Sequence, residues 1–90
     1  MEEILLDAAA MEPPEPLQQA TLILQQLQPG QYLRMLHRQL PYPLFESCRQ
    51  LDISYRHFTG EQTGQQTKWV ILFWRSNDPA TKNFCTRIRE

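Results

Sequence analysis

Residues 67–75 read TKWVILFWR. Aromatic and β-branched side chains suit a pleated surface, and this run is the strongest strand signal in the chain. Period-two alternation puts Trp69, Ile71 and Phe73 on one face and Val70, Leu72 and Trp74 on the other. Both faces are apolar. A single layer of helices covers only one of them, so the reading of this strand sets the question that the whole fold must answer.

Upstream, Asp52 to Phe58 alternates Ile53, Tyr55 and His57 against Ser54, Arg56 and Phe58, the pattern of a strand. Residues 59–66 hold Gly60 and Gly64 among polar neighbours and predict a loose hairpin loop. Pro41 and Pro43 bracket Tyr42 and launch a helix whose stripe is Leu44, Cys48 and Leu51, with Phe45 beside it. Before it, QYLRMLHR (31–38) predicts a strand with Leu33, Met35 and His37 on one face. Tyr32, Arg34 and Leu36 take the other.

Pro29-Gly30 marks a tight turn that ends an earlier helix over Leu17–Gln28. Leu17, Ala20, Ile23, Leu24 and Leu27 form its apolar stripe, and glutamines occupy most of the other side. Leu22 falls off the stripe, which suggests cover on a second side. Pro13 and Pro14 stop any preceding helix. Pro16 fits the first helical turn, where its missing N–H costs nothing, and Glu15 sits at the favourable end of the dipole. Ala8 to Glu12 is a connector, and Glu2 to Asp7 is a short, Ile- and Leu-rich strand.

The order is therefore β-α-β-α-β-β. Right-handed crossovers place both helices on the same face of the sheet. The expected class is α/β (α+β), a two-layer sandwich of a mixed four-stranded sheet with two helices on one face and an antiparallel last hairpin. Residues 1–75 make the domain, and 76–90 form a tail. The tail contains Phe84, Cys85 and Ile88 and a turn signal at Asn77-Asp78-Pro79, so it has apolar groups to fold back with. The stronger expectation is that the open face meets a protein partner or a second copy, because an exposed apolar patch of this kind marks an interface. Trp69, Val70, Leu72 and Trp74 are the interface candidates.

Ninety residues make one domain with a small core. With 41% hydrophobic and 21% charged residues the chain is globular rather than disordered. Its net charge of -1 gives no basic footprint for phosphate binding, which makes nucleic acid an unfavoured partner. The start has acids where a signal peptide needs positive charge, and no apolar run is long enough to span a membrane. Cys48 and Cys85 have no metal or redox spacing. Two reduced thiols in a cytoplasmic protein are expected.

The opening of the chain resembles a known superfamily. Leu6-Asp7, Met11, Pro14-Glu15-Pro16 and an amphipathic helix ending in Leu27-x-Pro29-Gly30 are similar to the TusA/SirA sulfur carriers. Those proteins share a strand–loop–Cys-Pro-x-Pro–helix opening and the same two-layer architecture. The likeness covers about Leu5 to Arg75. At the position of the persulfide cysteine this chain has Pro13, which carries no nucleophile. The chain resembles more closely an uncharacterised branch with Pro-Pro-Glu-Pro and a later His-acid-x-x-Pro-x-Pro-Leu segment, some members of which are fused to hemerythrin-like domains. Here that segment is His37-Arg38-Gln39-Leu40-Pro41-Tyr42-Pro43-Leu44, with Arg38 in place of the acid. The resemblance implies a fold and the place of a site, and no reaction.

Ligands in open α/β sheets favour the carboxyl ends of strands. A binding corner of Asp7, Pro14, Glu15, Pro16, His37 and Arg38 is therefore expected, with no catalytic residue, no metal and no cofactor. His57 reads as a partly exposed strand residue, and Tyr32, Tyr42 and Trp74 as packing. The leading expectation is a small non-enzymatic binding or regulatory module. Two alternatives stand beside it: a sulfur-transfer accessory protein using Cys48 or Cys85, and a nucleic-acid-binding domain.

Overall fold

The computed structural model describes residues 1–60 and 68–88. The predicted hairpin loop falls largely on 61–67 and lies outside the described residues. The elements run β1 (Glu2–Asp7), α1 (Glu15–Gln25), β2 (Gln31–His37), α2 (Tyr42–Leu51), β3 (Ile53–Thr59), β4 (Trp69–Arg75) and α3 (Pro79–Arg87). The strand order in the sheet is β1-β2-β4-β3. β1 and β2 are parallel, and β4 is antiparallel to both β2 and β3. The class is α+β with a mixed four-stranded sheet, in the strand and helix order that the sequence predicts.

β4 is inserted between β2 and β3. A strand that is apolar on both sides is most stable at the centre of a sheet covered on both sides, and β4 takes that place. Ile71 and Phe73 join Leu6, Leu24, Leu33, Met35, Leu44 and Cys48 in the core beneath α1 and α2. Val70, Leu72 and Trp74 join Tyr32 and Cys85 in a second core beneath α3. Burying an aliphatic or aromatic side chain of this kind contributes about 1.5–3 kcal/mol, so the second core is a substantial part of a small domain's stability.

The tail supplies the cover. Asn77-Asp78-Pro79 is a turn, as expected, and it is also a helix start. Asp78 is the N-cap of α3 and accepts from the Thr81 N–H, and Pro79 fills the first helical position. Thr81 and Cys85, four residues apart, are the buried positions of α3. Asp78 also reaches outside its helix: its Oδ2 accepts from the Gly30 N–H at 2.8 Å. Gly30 has φ +85, a value that favours glycine, so the turn after α1 presents its N–H to the start of α3.

Local chemistry explains the other boundaries. α1 begins at Glu15 with Pro16 in its first turn, as the sequence suggests, and ends at Gln25, three residues short of the expected Gln28. Leu22 is exposed, so among the described residues α1 is covered along one stripe and nothing supplies the suggested second cover. α2 ends at Asp52, which adopts a left-handed conformation at φ 58, one of the few non-glycine residues that tolerate it. Its carbonyl accepts from the Ser76 N–H at 2.9 Å. β1 and β2 are also tied by side chains: Glu3 Oε1 accepts from Tyr32 Oη at 2.8 Å and Arg34 Nε at 2.7 Å.

Candidate functional site

The carboxyl ends of β1 and β2 lie side by side. Asp7 is in register with Leu36, and the Ala8 N–H extends the ladder to the Leu36 carbonyl at 2.8 Å. The loop to α1 then passes Pro13 and Pro14, joined by a cis peptide bond. Pro14 is the N-cap residue, and no side chain caps α1. Glu15 supplies the acid in the first turn, and Pro16 is buried. Proline supplies the fixed backbone angle here; the Glu15 N–H donates to the Glu12 carbonyl at 3.0 Å and the Gln18 N–H to the Pro14 carbonyl at 3.1 Å, while Pro16 has no N–H to satisfy.

His37 closes β2 and is 8% exposed. Its Nδ1 accepts from the Gln39 N–H at 3.2 Å, which leaves the neutral ring's proton on Nε2. Burial, and then the positive charge of Arg38, hold its pKa below the usual 6.5. At neutral pH His37 is an uncharged donor.

The corner is divided by the sheet. Leu6 faces the core under α1 and α2, so alternation puts Asp7 on the α3 side. Leu33 and Met35 face α1 and α2, so His37 lies on that side. Asp7 turns back to accept from the Ala9 N–H at 3.2 Å. Glu15 and Arg38 are exposed, and among the described residues neither forms an ion pair. The ends of β1 and β2 are thus adjacent, but Asp7 and His37 fall on opposite sides of the sheet.

The interface candidates fall on two faces. Val70, Leu72 and Trp74 are buried beneath α3. Trp69 lies on the other face with the larger core and meets His57 edge-on at 5.6 Å. The face that alternation leaves open is covered in this chain by its own tail. One buried polar atom under α3, Trp74 Nε1, has no partner among the described residues.

Both thiols are buried. Burial pushes Cys48 up to about 11. Burial likewise pushes Cys85 up to about 11, although the nearby charges of Arg56 and Arg34 act in the opposite direction. The reactive form of a thiol is the thiolate, and burial disfavours that form at both sulfurs. Cys48 packs within α2 against the sheet and Cys85 within α3. Neither stands at the start of α1. Among the described residues no three His, Cys, Asp or Glu side chains are arranged to hold a metal ion, and no helix is long and apolar enough to cross a membrane.

A concave surface of about 950 Å³ opens between α2 and the edge strand β3. Phe45 and Tyr55 stack at 4.1 Å between ring centroids with 2° between their planes. His57 lies 5.9 Å from the same Phe45 ring, and Tyr42 meets Phe45 edge-on. Tyr42 is 65% exposed and Tyr55 39%. Glu46 and Arg49 rim the groove from α2, with Cys48 and Ile53 in its lining. The signal for it lies in the spacing 42, 45, 46, 49 on a helix and 55, 57 on a strand. Those residues converge only because β4 is central and β3 is left at the edge.

No curated protein and no solved structure matches the chain significantly. A family model does match, over residues 5–75, from within β1 to the last residue of β4. The chain belongs to the family described as uncharacterized conserved protein (DUF2249).

Proposed function

We propose that the protein is a small non-enzymatic binding or regulatory module that docks a protein partner in the cytoplasm through the groove between α2 and β3. The corner of Asp7, Pro14, Glu15, Pro16, His37 and Arg38 is its second contact. The observation that carries this reading is the aromatic wall of the groove. Tyr42 and Tyr55 are large, stiff and exposed, and such side chains dominate the energetics of protein contacts. Because α3 occupies the sheet face that the sequence leaves open, docking is assigned to the groove instead.

The relation to TusA/SirA carriers is part of the proposal. It is supported by the strand–loop–Pro-x-Pro–helix opening and by two helices sharing one sheet face. On this reading Pro13 stands where the carriers keep their thiol, and the scaffold serves recognition without sulfur transfer. The burial of Cys48 and Cys85 weighs against a sulfur-transfer accessory role, and Glu46 at the groove rim weighs against a nucleic-acid backbone there.

The test is affinity capture from the native cell with three baits: the unaltered chain, Tyr42→Ser, and Phe84→Ser as an exposed control on α3. A protein retained by the first and third baits and lost with Tyr42→Ser is the expected result. Capture that is the same with all three, or none at all, overturns the groove as a docking site.

A further inference from the structure

We infer that the groove and the β3 edge take a second copy of this chain, as a two-fold dimer in which β3 pairs antiparallel with its counterpart and α2 packs beside the partner's α2. This names an occupant for the groove and rests on the binding reading above.

The first ground is the difference between the two sheet edges. Among the described residues β3 is hydrogen-bonded to β4 on one side only, in an unbroken register from Ile53 to Thr59. An edge strand presents a row of free N–H and C=O groups, and proteins guard such edges with lysine, proline, bulges or inward charges. β1, the other edge, carries Glu2, Glu3 and Asp7, so pairing with its own copy crowds carboxylates together. β3, ISYRHFT, has no lysine, proline or carboxylate. Its one fixed charge, Arg56, is turned to the α3 side and held by the carbonyls of Cys85 at 3.0 Å and Ile88 at 2.6 Å. The unguarded edge is the one beside the aromatic groove.

The second ground is charge. Tyr42, Phe45, Glu46 and Arg49 follow the i, i+3, i+4, i+7 spacing of one helical stripe, and all line the groove. Glu46 and Arg49 form no ion pair among the described residues. A two-fold axis perpendicular to the sheet keeps both α2 helices on the same side and runs them antiparallel. The stripe then meets its own reverse, so Glu46 approaches the partner's Arg49 and Arg49 approaches the partner's Glu46. A surface carrying one charge of each sign along a helix is complementary to itself under that operation.

Sedimentation equilibrium of the whole chain tests this. The expected mass is twice 10.7 kDa. Tyr55→Lys, which installs a natural edge guard, and the single reversals Glu46→Arg and Arg49→Glu each raise the dimer Kd by about tenfold, two symmetric surface pairs being at stake. The double reversal Glu46→Arg/Arg49→Glu restores it. A monomer at about 1 mM overturns the inference. So does a dimer indifferent to Tyr55→Lys, or single reversals that the double reversal does not rescue. If a strict monomer still captures a partner that Tyr42→Ser loses, the second copy is ruled out while the binding reading stands. If both are lost, both fall.

Discussion

Arg56 Nη1 donates to the carbonyl oxygen of Cys85 at 3.0 Å, so a β3 side chain holds the last turn of α3. The same nitrogen reaches the Ile88 carbonyl at 2.6 Å, and the guanidinium carbon lies 5.0 Å from the centre of the Phe58 ring. A cation at the carboxyl end of a helix opposes the negative dipole there, and here it adds a second donor to the Cys85 carbonyl, which also accepts from the Ile88 N–H at 3.3 Å. Arg56→Met keeps the apolar stem and removes the donors. It is expected to cost about 2 kcal/mol, in line with hydrogen bonds from a charged group. Urea unfolding measures the loss, and increased binding of an apolar dye reports Val70, Leu72 and Trp74 becoming accessible.

Asp78 fastens the other end of α3. The Gly30 N–H, and then the Thr81 hydroxyl, hold its carboxyl below the ordinary 3.8. A depressed acid contributes stability above its unfolded pKa and loses it as pH falls through the folded value. The contribution is therefore complete at neutral pH and fades below pH 3.8. Asp78→Ala is expected to cost about 1–2 kcal/mol at neutral pH. It should also flatten the acid limb of stability against pH; an unaltered acid limb would show that the carboxylate contributes nothing.

His37 has the same pH sign from a different chemistry. Burial and Arg38 favour its neutral form, so the folded protein binds fewer protons than the unfolded chain below 6.5. Stability from this source is present above pH 6.5 and falls as pH drops through the folded pKa. An imidazole titration followed by NMR should place His37 below 6.5, and Arg38→Gln should move it upward. A value at or above 6.5 in the unaltered protein would contradict the burial described for this ring.

The thiols give a direct test of inertness. In the folded protein at pH 7.5 both Cys48 and Cys85 should resist a thiol reagent, and both should react at once in denaturant. The expected ratio of rates exceeds about a hundredfold, since a pKa near 11 leaves little thiolate and burial blocks access. Rapid labelling of either cysteine in the folded state would reopen sulfur chemistry for this chain.

Trp74 offers an unusual core substitution. Its Nε1 is buried and without an acceptor among the described residues, and an unsatisfied donor of this kind costs about 1–3 kcal/mol. Trp74→Phe removes the donor together with part of the ring. The two effects offset, and a change within about 1 kcal/mol is expected. Phe73→Ala, in the core on the other face, should cost about 3–5 kcal/mol. The contrast is read in one series of denaturant midpoints.

Much of the architecture is legible in local pattern. Glu2–Asp7 is a strand over its predicted span, and the prolines at 16 and 43 sit in the first turns of α1 and α2. Both faces of β4 read as apolar, and both are buried, the second by the chain's own tail where a partner is the stronger expectation. α3 is not legible as a helix, because PATKNFCTR buries only Thr81 and Cys85 and shows no apolar stripe. The weight given to an open face followed from that. Whether Asp7 and His37 share a pocket depends on which way each strand faces the helices, a property that spacing along the chain does not carry. The groove depends on strand order, a long-range property: Phe45 and Tyr55 meet only after β4 has displaced β3 to the rim.

The family match stops at residue 75, and α3 begins at Pro79. The inherited unit therefore includes β4 with its two greasy sides but not the lid over one of them. In this chain Val70, Leu72 and Trp74 are therefore roofed by a stretch that lies beyond the matched residues. In this chain a nine-residue helix does so, pinned at its two ends by Asp78 and Arg56. The underside of the sheet is thus a socket, and its plug is a separate helix that the matched span does not contain.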